Sequence, residues 1–340
     1  RASKRGPPKA RLSPSTAPTG SGTSSARPAV TAMAPGMSNE RSWTSSRLSG
    51  SRRGARNAAA SPIGTLNNCA HGYTPWGTYL ACEENWNGYF GTADPAWTPT
   101  PQQARYGVSA TGFRYNWHVA DPRFDIAQNP NEIHRFGWVV EIDPFRPDTT
   151  PVKRTALGRI KHESATFTLG SGGRAVVYTG DDENGDYLYK YVSERPWRQA
   201  RAQGRSPLDE GTLYVAVFDG AGNGTWQPLV HGIGPLTVAN GWVDQADVLI
   251  RTRMAADAVG ATRLHRPEWV AVNERNKDVY VTLTNGTGNG APVNSNRDPN
   301  PYGHIVRIRE NRDDPGALTF RWDIFLFGAQ ANADTGGDDV

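Results

Sequence analysis

Short apolar runs, each closed by Gly, Asn, Asp or Pro, recur along the chain from Ser61 onward, and this pattern constrains the fold more than any other feature. Residues 137–144 run through Trp138, Val139, Val140 and Ile142 into Asp143 and Pro144, a strand ending in a turn. Residues 175–180 and 187–192 are two further strands flanking the acidic stretch 181–186. Another strand falls at 211–219. Residues 269–273 and 278–284 make a hairpin around the loop 274–277, and strands at 303–309 and 318–322 follow. With 37 Gly and 25 Pro, the chain is poorly suited to long helices. Its 11 Trp and 12 Tyr, against 3 Met, suit half-buried sheet surfaces. One helical patch is expected at 245–258, and residues 92–135 read as a polar and aromatic excursion with a short helix. The units recur roughly every 40 to 50 residues, the range of propeller blades. The fold class is therefore all-β: a barrel, a sandwich or a propeller.

Charge divides the chain in two. Residues 1–60 hold 11 Lys and Arg and one acidic residue, Glu40, leaving 26 basic against 32 acidic residues in 61–340. The first segment is rich in Ser, Arg, Ala, Pro and Gly without periodicity. It cannot bury enough apolar surface to offset its chain entropy, so it is expected to be a disordered basic low-complexity segment, a linker rather than an anchor. Residues 61–340 are expected to form the single folded domain. The net charge of +4 thus comes from the tail, and the body has neither a basic run nor a recognition helix. Nucleic acid is excluded as a partner on that ground. No apolar run reaches about 18 residues, which excludes a helical membrane span, and the N-terminus shows no signal-peptide core.

Four stretches could carry chemistry. Cys82-Glu83-Glu84-Asn85 sets a soft thiolate beside hard carboxylates, a donor mixture suited to a transition metal with calcium nearby. On a strand, Cys82 and Glu84 would share one side and Glu83 the other. Lys161-His162-Glu163 precedes a strand. Arg266-Pro267-Glu268 enters one, and Pro267 restrains the backbone between a guanidinium and a carboxylate. The stretch 181–186 resembles a calcium loop but lacks the EF-hand spacing. The first three stretches alone are more often structural, as a buried thiol, a capping pair and a strand-start ion pair; the fourth is evenly balanced between an acidic hairpin turn and a metal loop. No serine-nucleophile elbow, phosphate-binding glycine loop, dinucleotide fingerprint or ordinary zinc pattern is present, so catalysis would have to rest on metals. The two cysteines, Cys69 and Cys82, permit one bridge by count, which spacing alone does not support.

Taken together and in order, several stretches resemble the PhoX family of bacterial alkaline phosphatases. They are Asn68-Cys69-Ala70 with Thr74-Pro75-Trp76-Gly77-Thr78 and Cys82-Glu83-Glu84-Asn85, then Lys161-His162-Glu163, then Gly180-Asp181-Asp182 with Tyr189-Lys190-Tyr191-Val192-Ser193. Arg266-Pro267-Glu268-Trp269, Tyr280-Val281-Thr282-Leu283-Thr284-Asn285 and Asn300-Pro301-Tyr302-Gly303-His304-Ile305 complete the set over residues 63–328. The resemblance implies a six-bladed β-propeller whose funnel holds iron (Fe3+) and calcium (Ca2+). It also implies hydrolysis of phosphate monoesters by an exported, periplasmic or secreted monomer. Carried onto this sequence, Cys82 is the iron ligand, and Glu163 and Glu268 are metal carboxylates. Glu84 and, less directly, Glu83 stand at calcium, and Arg266 contacts the substrate phosphate. A Cys69–Cys82 disulfide would contradict that assignment.

The family continues past Val340 with an acidic, strand-rich segment, and residues 1–60 are unlike its N-terminal part. An incomplete propeller is therefore expected at both ends. The alternative is a non-catalytic calcium-stabilised propeller, an inactive truncated remnant; a calcium-dependent lactonase on the same scaffold is a further rival.

Overall fold

The computed structural model describes residues 64–295 and 298–329. The readings for 1–60 and for the last ten residues lie outside the described residues.

Fifteen strands are found among the described residues. They are β1 (Asn68–Tyr73), β2 (Tyr79–Glu83), β3 (Val139–Ile142), β4 (Val152–Lys153), β5 (Thr166–Gly170), β6 (Arg174–Gly180), β7 (Asn184–Asp186) and β8 (Leu188–Pro196). There follow β9 (Gly211–Phe218), β10 (Asn223–Pro228), β11 (Leu264–His265), β12 (Pro267–Val272), β13 (Val279–Leu283), β14 (His304–Glu310) and β15 (Thr319–Phe327). The expected strands at 137–144, 175–180, 187–192, 211–219 and 303–309 are all present within a few residues. The expected hairpin is β12–β13, and the helical patch is a pair of short helices, Gln245–Ile250 and Thr252–Ala258. The acidic stretch is not a plain turn, because its second half is β7, paired with β11.

The sheets are antiparallel meanders. β1 to β4 form one four-stranded sheet in sequence order. A second sheet runs β12-β13-β14-β15-β10-β9-β8-β6-β5. Within it, β5-β6-β8-β9 and β12-β13-β14-β15 are two further four-stranded meanders, and β10 joins their outer strands. The first strands of the meanders approach one another: Ala165 N–H donates to the His71 carbonyl (3.3 Å), and the Thr166 hydroxyl to that of Val270 (2.5 Å). Two glycines permit this approach. A Cβ on Gly72 would overlap the Ala165 carbonyl, and one on Gly180 would overlap the carbonyls of Pro267 and Glu268. Apolar side chains fill the spaces between meanders, with Val177, Tyr189, Val215 and Leu249 in one cluster and Val176, Val281, Ile308 and Phe320 in another. No described helix is long and apolar enough to cross a membrane.

Candidate metal and anion site

The turn after β1 is closed by bonds between Thr74 and Thr78. From it the register runs outward, Tyr73 opposite Tyr79 and His71 opposite Ala81, to a bulge, after which Asn68 faces Glu83. Cys69 at the start of β1 and Glu84 just past β2 therefore lie at one end of the hairpin. Glu163 is brought there from the neighbouring meander, its N–H on the Gly180 carbonyl (3.1 Å). Donor atoms of Cys69, Glu84 and Glu163 lie within 4.8 Å of one another.

Three acidic groups this close repel when ionised. Burial, a hydrogen bond to Glu163 and the nearby carboxylates push the Cys69 thiol up to about 12. Burial, then Glu163 and Asp182, push Glu84 up to about 8, against a partial pull from Lys161 and Asn85. Burial, then Asp182 and Glu268, raise Glu163 to about 7, partly offset by Cys69 and Arg266. A bound cation would reverse that repulsion, and a thiol with two carboxylates is a donor set for one. The residues present thus fit a cation.

Arg266 stands beside them. It has φ 51°, a strained conformation for a non-glycine residue, and one that the following proline disfavours further. Its Nε and Nη2 donate to the two Asp182 oxygens (2.9 and 2.8 Å), and Nη2 also to Glu268 (3.2 Å). Its Nη1 makes no hydrogen bond among the described residues, and the side chain is partly exposed. Burial, then the Asp182 charge, raises the Glu268 carboxyl above the ordinary range.

The structure brings together Glu84, Glu163, Arg266 and Glu268 as expected, and moves two residues out. Cys82 is wholly buried in the core beside Leu80, Val139 and Val177, and both cysteines are free thiols. The thiol among the carboxylates is Cys69. The reason is strand alternation interrupted by the bulge: Cys82 turns to the core and Cys69 to the opening. Glu83 is also fully buried, and its five contacts are all structural. One oxygen takes the Thr65 hydroxyl (2.8 Å), the Leu66 N–H (3.0 Å) and the Lys153 ammonium (2.7 Å). The other takes the N–H groups of Gly137 (3.0 Å) and Trp138 (3.1 Å). Glu83 has no lone pair to spare for a metal.

Sequence reasoning missed Cys69 and Asp182 as site residues. The bulge that turns Cys69 outward has no mark in the sequence; Asp182 lies in a stretch the sequence did flag, but its pairing with Arg266 is a contact between distant segments. His162 is a spacer: its Nε2 donates to the Gly158 carbonyl (3.0 Å), so Nδ1 accepts the Thr179 hydroxyl (2.9 Å), and burial lowers it to about 4. Asp181 and Asp186 are no calcium loop, since both turn inward to Arg253, Asp181 at 2.5 Å.

A sheet-built scaffold that gathers a thiol, carboxylates and an arginine where its inner strands meet has the donor set of a cation site beside an anion site. The family model described as "Alkaline phosphatase PhoX" matches residues 23–339, and the chain belongs to that family. Among solved structures it is similar to "Pseudomonas fluorescens PhoX in complex with vanadate, a transition state analogue", with 50% sequence identity and a TM-score of 0.72 over 77% of this chain and 48% of that one. The chain thus spans about half the length of that relative. No curated protein matches.

Proposed function

We propose that the protein is a metal-dependent phosphomonoesterase, an alkaline phosphatase acting on phosphate monoesters with Fe3+ and Ca2+, built as a six-bladed β-propeller and working as an exported monomer in the periplasm or outside the cell. The observation that carries the reading is the convergence of Cys69, Glu84 and Glu163 beside Arg266. The family match and the relative's vanadate complex support it.

Cys69, Glu84, Glu163 and Glu268 would hold the cations; Cys69 here replaces Cys82, and Glu83 is left out of the set. The cations would supply charge neutralisation for the phosphoryl oxygens and an activated nucleophile. Arg266 would bind the non-bridging oxygens through Nη1. Asp182 would hold the guanidinium plane so that this donor points outward, at little ordering cost when substrate arrives. The transferring phosphoryl group carries charge on its peripheral oxygens, so a fixed cationic fork does more for it than a mobile one. Exposure of Arg266 leaves the approach open to the leaving alcohol.

The test is metal analysis of the purified chain together with phosphate release from 4-nitrophenyl phosphate. Iron with calcium and turnover is the expected result. Glu268→Gln should abolish turnover and reduce bound metal, and full activity with intact metal in that variant would sink the assignment. Calcium alone without turnover would leave the non-catalytic scaffold.

A further inference from the structure

The excursion between β2 and β3 leaves the sheet at Glu84, so it is built over the same end of the hairpin as Cys69 and Glu84. It carries four aromatic rings in a row. Phe113 and Tyr115 have centroids 6.0 Å apart, Tyr115 and Tyr89 5.0 Å, and Tyr89 and Trp117 4.8 Å, all edge to face. Phe113, Tyr115 and Trp117 are 43%, 48% and 41% exposed. A second aromatic group, around Tyr73 and Tyr79, lies at the opposite end of the hairpin and is not part of this opening.

Two observations tie the row to the site. The Lys161 ammonium lies 6.0 Å from the Phe113 centroid and 2.7 Å from Glu183, and its charge acts on Glu84. The Tyr89 hydroxyl is 3.4 Å from Asn67 Nδ2, and the Asn67 carbonyl accepts the Glu84 N–H (3.0 Å). The row is also held in place. Arg114 and Asn116 both adopt positive φ, 63° and 57°, a conformation Asn tolerates and Arg rarely adopts. The Phe113 ring presses on Gly88 so closely that no Cβ fits there, and its N–H donates to the Gly88 carbonyl (2.9 Å).

Large rings fixed edge to face, half exposed and next to a cation, offer faces on which another planar ring can stack. We propose that Phe113 and Tyr115, braced by Tyr89, form a stacking subsite for the aromatic leaving group of a phosphate monoester, an aryl or nucleoside phosphate, whose phosphoryl group lies at Arg266. This rests on the phosphomonoesterase reading and names the substrate class of the same site. An aliphatic alcohol would gain contact area there but no ring stacking.

The test uses the purified chain with two non-hydrolysable ligands, phenylphosphonate and methylphosphonate, titrated by calorimetry, alongside kcat/KM for 4-nitrophenyl phosphate and glycerol 2-phosphate. Phenylphosphonate should bind about fivefold to a hundredfold tighter than methylphosphonate. Tyr115→Ala and Phe113→Ala should bring that ratio close to one, while Tyr115→Phe, which keeps the ring, should preserve it. Aryl selectivity in binding without turnover of either ester would uphold the subsite and sink the phosphatase reading. Turnover with no aryl selectivity, or selectivity that survives both alanine variants, would overturn the subsite alone. Failure to bind either phosphonate would overturn both.

Discussion

Replacing Glu83 by Gln should cost the protein stability and leave its metal content unchanged, and the same change one residue on, at Glu84, should do the opposite. The Glu83–Lys153 pair has an N–O distance of 2.7 Å, with side chains 0% and 8% exposed. Breaking such a pair leaves a buried ammonium without its counter-charge, a cost of about 3–5 kcal/mol. The amide keeps one acceptor oxygen. Its NH2 must then face either Lys153 or the N–H groups of Gly137 and Trp138, so at least one donor group is left opposed by another. That loss overlaps the first rather than adding to it, and the total stays at about 3–5 kcal/mol. For a domain of this size it corresponds to a melting temperature lower by about 6–20 °C. Thermal unfolding with metal analysis of the folded fraction measures both quantities. Glu84 has no buried cation in direct contact, and burial and its neighbours already hold its carboxyl at about 8, so Glu84→Gln removes a crowded acid and a ligand together. If Glu83→Gln lost metal while melting like wild type, the structural role assigned to Glu83 would be refuted.

On the proposed assignment, Cys69→Ser should lower bound metal, and any phosphatase activity with it, by about tenfold or more, as metal analysis and phosphate release would show. Cys82→Ser should instead cost about 1–3 kcal/mol by placing a hydroxyl in the apolar core, with metal content retained, as urea unfolding and metal analysis would show. Burial and the Arg159 charge hold His134 down to about 3, below its ordinary value of 6.5. The unfolded chain therefore binds a proton that the folded chain refuses between those values. Its contribution to stability is complete above about pH 6.5 and is lost as pH falls toward 3. His134→Gln should make that acid loss shallower by about 1–3 kcal/mol, and unchanged acid unfolding curves would refute the attribution.

Most strands were legible because half-buried strands announce themselves by apolar alternation, as at 175–180 and 278–284. β10 (Asn223–Pro228) was not, since Asn-Gly-Thr-Trp-Gln-Pro has no alternation to read and exists as a strand only because β9 and β15 flank it. The excursion 92–135 reads as irregular from its polar and aromatic composition, but its contacts beside the site, such as Lys161 over Phe113, are tertiary.

The sequence by itself determined the inventory: the strand-rich class, the donor residues suited to metal and phosphate, and the motifs that resemble the family. Local chemistry suffices for that, because donor types and apolar periodicity are properties of short stretches. Only the tertiary structure decided which members of that inventory meet. Cys69 and Cys82, and Glu83 and Glu84, are indistinguishable as residue types. Unbroken alternation along β2 sent Cys82 to the core with Leu80, and a bulge in β1 set Cys69 among the carboxylates. A lysine 70 residues away claimed Glu83. Asp182 became the partner of Arg266 because Gly180 lets β6 end against β12. These outcomes depend on register and on contacts between distant segments, and no short window of sequence contains them.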